Sequence, residues 1–154
     1  MGPTLGRALV IVLTGAVLGL AANAISPWRI PYIAPPKAKL QPQEMVSLQD
    51  AKQLWSSGAA IFLDARAPAD YKAGHIANAF SLPIEEFDDY YPRVAVLLTT
   101  NANIVVYCDG QECDLSHHLA LALRGLGYQH VHILVNGWTS WHTAGLPTHT
   151  GGQP

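Results

Sequence analysis

An α/β fold, with a central parallel sheet covered by helices on both faces, is what this sequence predicts, and three observations carry the prediction. The apolar runs AAIFLDAR (59–66), NIVVYC (103–108) and HVHILVNG (130–137) are continuous rather than alternating, as strands buried on both faces are. Between them lie stretches of helical period that close on glycine or proline. The runs also end in chemically pointed residues: Asp64 and Arg66, Cys108, and Gly137. In parallel sheets, ligands bind beyond those carboxyl ends.

Taken in order, the chain opens differently. From Ala8 to Ala22 no residue is charged and only Thr14 is polar, and Ile25 extends the run. That length approaches the roughly 17–25 residues that cross a bilayer. Residues 1–27 therefore read as a transmembrane anchor or a signal segment. Trp28 and Tyr32 sit where an interfacial aromatic belt would be, which favours an anchor, whereas Arg7 and Ala22-Asn23-Ala24 fit a cleaved secretory signal. Residues 28–43 read as a proline-bearing linker. The expected location is a single-pass protein of a bacterial inner membrane, or a periplasmic or secreted protein after cleavage. Arg29, Lys37 and Lys39 outnumber Arg7, which draws the downstream part toward the cytoplasm, against the pull of a signal-like start.

Residues 44–150 form the expected globular domain. SLQDAKQLWSSG begins at Ser47 as an N-cap, keeps Leu48, Ala51, Leu54 and Trp55 on one face and ends at Gly58. After the first strand, NAFSLP (78–83) reads as a short second one, and IEEFDDYYPRVAVLLT (84–99) as a helix interrupted near Pro92. The segment DLSHHLALALRGLG places Leu115, Leu119, Ala122, Leu123 and Leu126 on one helical face closed by Gly127. A last helix, WTSWHTAGLP, is cut by Gly145 and Pro147.

Charge narrows the function. The first 39 residues carry +4 and the remainder −6, within a net charge of −2, so no basic stripe exists for a nucleic acid partner. The seven histidines are scattered, and even His117 and His118 point to different sides of a helix, so neither a metal nor a cofactor is expected. Cys108 is the residue that invites chemistry. It ends a buried strand and is followed by a short glycine-bearing loop and then a helix, an arrangement whose backbone N–H groups stabilise negative charge on sulfur. Asp109, Gly110, Gln111, Glu112 and Cys113 make up the expected substrate-binding loop, its amides forming an anion cradle.

FLDAR, YKAGHIANAFSLP, VVYC with its short loop, and GWTSWHTAGLP occur in an order and spacing that resemble a single rhodanese-like domain from about Val46 to Pro147. The resemblance implies a three-layer α/β fold and a Cys108 that takes sulfane sulfur from a donor as a persulfide and passes it to a thiol or other nucleophilic acceptor, which can be a protein. It assigns Asp64 and Arg66 to holding the strand end and nearby loops through bidentate hydrogen bonds. His75 is expected to pin a loop, and Gly74 to suit a special backbone angle. Gly137, Trp138 and Trp141 look like the closing signature, with core packing as their role. Related cysteine phosphatases need an Arg six positions after the nucleophile, where this chain has Asp114, so phosphatase activity is not expected. Thiosulfate users carry cations in the loop, whereas Asp109, Gln111 and Glu112 stand here, so thiosulfate is not expected as preferred donor. Two other readings remain open. Cys108 and Cys113 are close enough in sequence to close a disulfide if their Cα atoms come within about 7 Å, which suits a thiol redox protein. A non-catalytic, membrane-tethered binding module is the other.

Overall fold

The computed structural model describes residues 3–25, 44–110 and 114–152, in two units, Met1–Lys39 and Leu40–Pro154. In the first unit, helix α1 runs over Pro3–Ile25. Its side chains are described over residues 6–22, and all are exposed; Leu9, Val10, Ile11, Val12 and Leu18 each keep more than half of their surface open. Among the described residues no helix is long and apolar enough to cross a membrane. The expected transmembrane anchor is therefore not supported. Trp28, Tyr32 and the proline-bearing linker lie outside the described residues.

The second unit begins with α2 (Leu48–Ser56), whose N-cap Ser47 accepts a hydrogen bond from the Asp50 amide at 3.1 Å. Strand β1 (Ile61–Asp64) leads to α3 (Pro68–Ala73), and the short strands β2 (His75–Ile76) and β3 (Phe80–Ser81) follow. A 3-10 turn (Ile84–Glu86) then enters α4 (Phe87–Ala95). Strand β4 (Asn103–Tyr107), α5 (Asp114–Gly125), β5 (His130–Leu134), α6 (Gly137–Thr143) and β6 (Thr148–His149) complete the order.

Four strands form one parallel sheet in the order β3-β1-β4-β5. Its register pairs Asp64 with Ser81 and with Tyr107, and Tyr107 with Leu134. The carboxyl ends are thus level, and the residues after β1, β4 and β5 share one edge. Beyond β5 the sheet gains a parallel bridge between Met45 and Ile133.

Strand alternation divides the core in two. Leu63, Ile104, Val106 and Cys108 pack with Val94 of α4 and with Leu119, Ala120 and Leu123 of α5. Phe62, Val105 and Tyr107 face the other way, onto Ala51 of α2 and Trp141 of α6. The result is the expected three layers, with Cys108 on the α5 side.

Several local expectations are corrected. Pro92 does not interrupt α4, which continues through it to Ala95. The helix gives up one backbone bond there but keeps Val94 fully buried, and it ends within a turn. Leu126 is 50% exposed because α5 ends at Gly125; Ser116, His117 and Ala120 join the buried face instead. Helix α3 and the antiparallel pair β2-β6 went unread in the sequence, since six- and two-residue elements carry too little period.

Candidate active site

Asp64 is the last residue of β1 and fully buried. Its carboxylate accepts from Arg66 Nε at 3.0 Å and Nη2 at 2.6 Å, and from the Arg66 amide at 3.0 Å. Arg66 Nη2 also donates to the Gly74 carbonyl at 2.7 Å, so one buried ion pair ties the end of β1 to the end of α3. Burial alone would lower the guanidinium pKa, but hydrogen bonding and charge from Asp64 outweigh it and the net shift is upward. Trp138 completes the clamp, with Arg66 Cζ 4.7 Å from its ring centre.

Gly74 has a reason other than the expected one. Its φ of 172° is extended backbone that any residue adopts. A Cβ there would meet the Trp138 ring at 2.9 Å, so the glycine makes room for the indole over Arg66. Gly137 is tighter still: a Cβ there would lie 2.6 Å from Tyr107 Cβ, so the glycine lets α6 start directly against β4. His75 is buried, stacks on Tyr71 with ring centres 3.7 Å apart, and has Nδ1 2.8 Å from the Tyr71 carbonyl oxygen.

Buried phenols surround the clamp. The Tyr71 hydroxyl donates to the Ala79 carbonyl, and the Tyr107 hydroxyl accepts from the Ile76 amide. Burial, reinforced by the negative charge of Asp64, pushes Tyr71 up to about 12 and raises Tyr107 further. Both ionise later in the folded than in the unfolded chain. Their contribution is complete below about pH 10, the ordinary tyrosine value, and is lost as pH rises from there toward the folded values. Melting curves should accordingly match between about pH 8 and about pH 9 and fall steeply by about pH 11; an unchanged midpoint at the highest pH would refute the shift.

Cys108 follows β4 and is 1% exposed. Its carbonyl accepts from the Trp138 amide at 3.1 Å, which ties the start of the loop to α6. Its Sγ lies 3.2 Å from the Ser116 hydroxyl oxygen on the first turns of α5. Cys108 is disulfide-bonded, and among the described residues no cysteine is free. Cys113, the other cysteine of the chain, lies outside the described residues with Gln111 and Glu112.

The described part of the loop is held from outside. The Gly110 amide donates to Asn136 Oδ1 and to Asp109 Oδ1, both at 3.0 Å. Asp109 Oδ1 also accepts from the Thr139 hydroxyl at 2.5 Å. In this state the Gly110 N–H therefore faces side-chain oxygens and not the sulfur. Asn136 adopts a left-handed conformation with φ 50°, which a short polar residue tolerates. Ser116, Asn136 and Thr139 were not singled out in the sequence; only a hydroxyl eight positions after Cys108, on the helix that leaves its loop, could have pointed to Ser116.

A cavity of about 480 Å³ opens at this sheet edge, lined by Arg66 and Trp138 and by the carboxyl side chains of Asp70, Glu85, Glu86 and Asp109. Since Asp64 already neutralises Arg66, the cavity is net negative.

A level parallel sheet with a cysteine at the end of a central strand, ahead of a helix and next to the cavity-lining Asp109, defines a three-layer α/β domain with a strand-end cysteine. The model of the Rhodanese-like domain family matches residues 47–144, and the chain belongs to that family. Among similar proteins, the HTH-type transcriptional regulator Rv0324 of Mycobacterium tuberculosis is 32% identical over 110 residues, 71% of this chain and 46% of that protein. The chain thus spans about half the length of the curated relatives it matches. The crystal structure of the Alr3790 protein from Anabaena sp. is similar with TM-score 0.58 and 31% identity, over 69% of this chain and 92% of that one. The human single-domain sulfurtransferase TSTD1 has TM-score 0.55 at 21% identity, over 65% and 96%, a likeness of fold alone.

Proposed function

We propose that this chain is a sulfurtransferase of the rhodanese type, moving sulfane sulfur through a persulfide on Cys108. The observation that carries the reading is the place of Cys108, at the carboxyl end of β4, directly before the cavity-lining Asp109 and within hydrogen-bonding distance of a buried hydroxyl. The cycle starts from the thiol, so a dithiol first reduces the disulfide and is itself oxidised to a disulfide. The Cys108 thiolate then attacks the outer sulfur of a persulfide donor, R–S–SH. The donor S–S bond breaks and R–S⁻ leaves, so that Cys108 carries the persulfide. An acceptor thiolate attacks the outer sulfur in turn, and the Cys108 thiolate departs.

Donor preference follows from charge. Asp70, Glu85, Glu86 and Asp109 face a dianion such as thiosulfate, each costing about 1 kcal/mol at close range in a water-like dielectric. Thiosulfate should therefore be the poorer donor. Incubating the reduced full chain with an alkyl persulfide or with thiosulfate, then releasing the sulfur with cyanide as thiocyanate, tests both points. No thiocyanate from either donor would sink the transferase reading, and equal yields would remove the preference.

The proposal includes a lipid surface for α1, because a helix with no charge from Ala8 to Ala22 and apolar side chains exposed all round lowers its free energy in apolar surroundings. The full chain should float with phosphatidylcholine vesicles in a density gradient, and a chain lacking residues 1–27 should not. Recovery of the full chain at the bottom would defeat this part alone.

One observation favours a second reading, a thiol redox protein: Cys108 is disulfide-bonded. Intact mass separates the two. Loss of two hydrogens when the reduced chain is mildly oxidised, dependent on both cysteines, with no sulfur gained from a persulfide, would favour redox chemistry over transfer.

A further inference from the structure

We infer that the Ser116 hydroxyl is a catalytic hydrogen-bond donor to the Cys108 sulfur, holding it as thiolate when it attacks and again when it leaves. This rests on the reading of Cys108 as nucleophile. Ser116 Oγ is 3.2 Å from Sγ, and both residues are buried, at 2% and 1% exposure. A disulfide sulfur carries no proton, so in the described state the hydroxyl is the donor and the sulfur the acceptor.

Such a donor works against the charge of its described surroundings. Asp109 follows Cys108 directly, and the adjoining cavity is lined by three more carboxyl groups, all of which oppose negative charge on sulfur. The Gly110 amide, which could have offset them, is turned toward Asn136 and Asp109. Ser116 is carried by α5 and packed within the core, so its hydroxyl is positioned by the fold and not by the loop. A bond that is weak to a neutral sulfur becomes charge-assisted to a thiolate, shorter and about twice as strong. Its effect therefore falls on the states in which the sulfur is charged, which are the states that react.

The test uses the reduced full chain with Cys113→Ser, which leaves Cys108 as the one thiol. The rate of alkylation by iodoacetamide is followed against pH. Ser116→Ala should slow alkylation about tenfold near neutral pH, the size expected for a bond to a charged group, and leave the limiting rate at high pH unchanged. Ser116→Thr, which keeps the hydroxyl, should restore the profile. Superimposable profiles for Ser116→Ala and the parent would overturn the inference, as would a Ser116→Thr profile that matches Ser116→Ala. Because alkylation needs no sulfur donor, a chain that shows the shift yet transfers no sulfur would fail the proposed function while leaving Ser116 as the donor to the thiolate.

Discussion

Cys108→Ser is expected to abolish sulfur transfer, with cyanide-released thiocyanate falling to the level of a protein-free control and no sulfur gained in the intact mass. The reason is chemical before it is structural. A serine hydroxyl stays protonated near neutral pH and offers no sulfur on which a persulfide can form, so the intermediate has no equivalent. Removing a covalent nucleophile costs about three orders of magnitude or more in enzymes that depend on one. The substitution is nearly isosteric, and Ser116 can still hydrogen bond to the new hydroxyl, so the fold should survive. Retention of transfer in the folded variant would show that another group carries the sulfur. Cys113→Ser is the natural companion, because a reaction that survives loss of Cys113 but not of Cys108 separates transfer from disulfide exchange.

Asp64→Ala should destabilise the domain by about 3–5 kcal/mol, measured by urea unfolding. The deletion leaves the Arg66 guanidinium, 7% exposed, without its paired carboxylate, and among the described residues the Gly74 carbonyl is its remaining short hydrogen-bond partner. Reduced protein should unfold at much lower urea, and the cavity wall formed by Arg66 and Trp138 should loosen with it. Converting both partners, Asp64→Ala with Arg66→Met, should recover most of the loss, since the expensive part is the orphaned charge and not the missing bond. A double variant as unstable as Asp64→Ala would show instead that the pair acts through its hydrogen bond to Gly74.

These two expectations differ in how early they could be made. Cys108 is visible in the sequence because a continuous apolar run, a short glycine-bearing loop and a helical period follow one another without a gap, and local order alone places a thiol at a strand end. The pairing of Asp64 with Arg66 is similarly close at hand, two residues apart at the end of another such run. The clamp they build is not, because Gly74 and Trp138 come from elsewhere in the chain. The sequence suggests a backbone reason for Gly74, and the reason is a neighbour 64 positions away, as the two residue numbers show.

The acids tell the same story. Asp109 is plain in the sequence, but nothing local singles out Asp70, Glu85 and Glu86, which the level strand ends bring to one cavity. Asp109 itself is turned toward Thr139 and the Gly110 amide, which makes it a brace for the loop as well as a charge at the rim. Ser116 looks like one polar interruption of an apolar helix face, and its meaning appears only where α5 packs over the end of β4.

By itself the sequence determined the order of the longer strands and helices, the two-faced burial of the sheet, the apolar opening helix and the position of a cysteine at a strand end, because each of these is written in local period and in the residues that stop it. The tertiary structure alone decided which polar groups meet at the strand ends: the indole over Arg66, the amide taken up by Asn136, the four carboxyl groups of the cavity and the hydroxyl on Cys108. Except for the hydroxyl on Cys108, eight positions away, those contacts join segments separated by long stretches of chain, and the level ends of the parallel strands bring them to one edge.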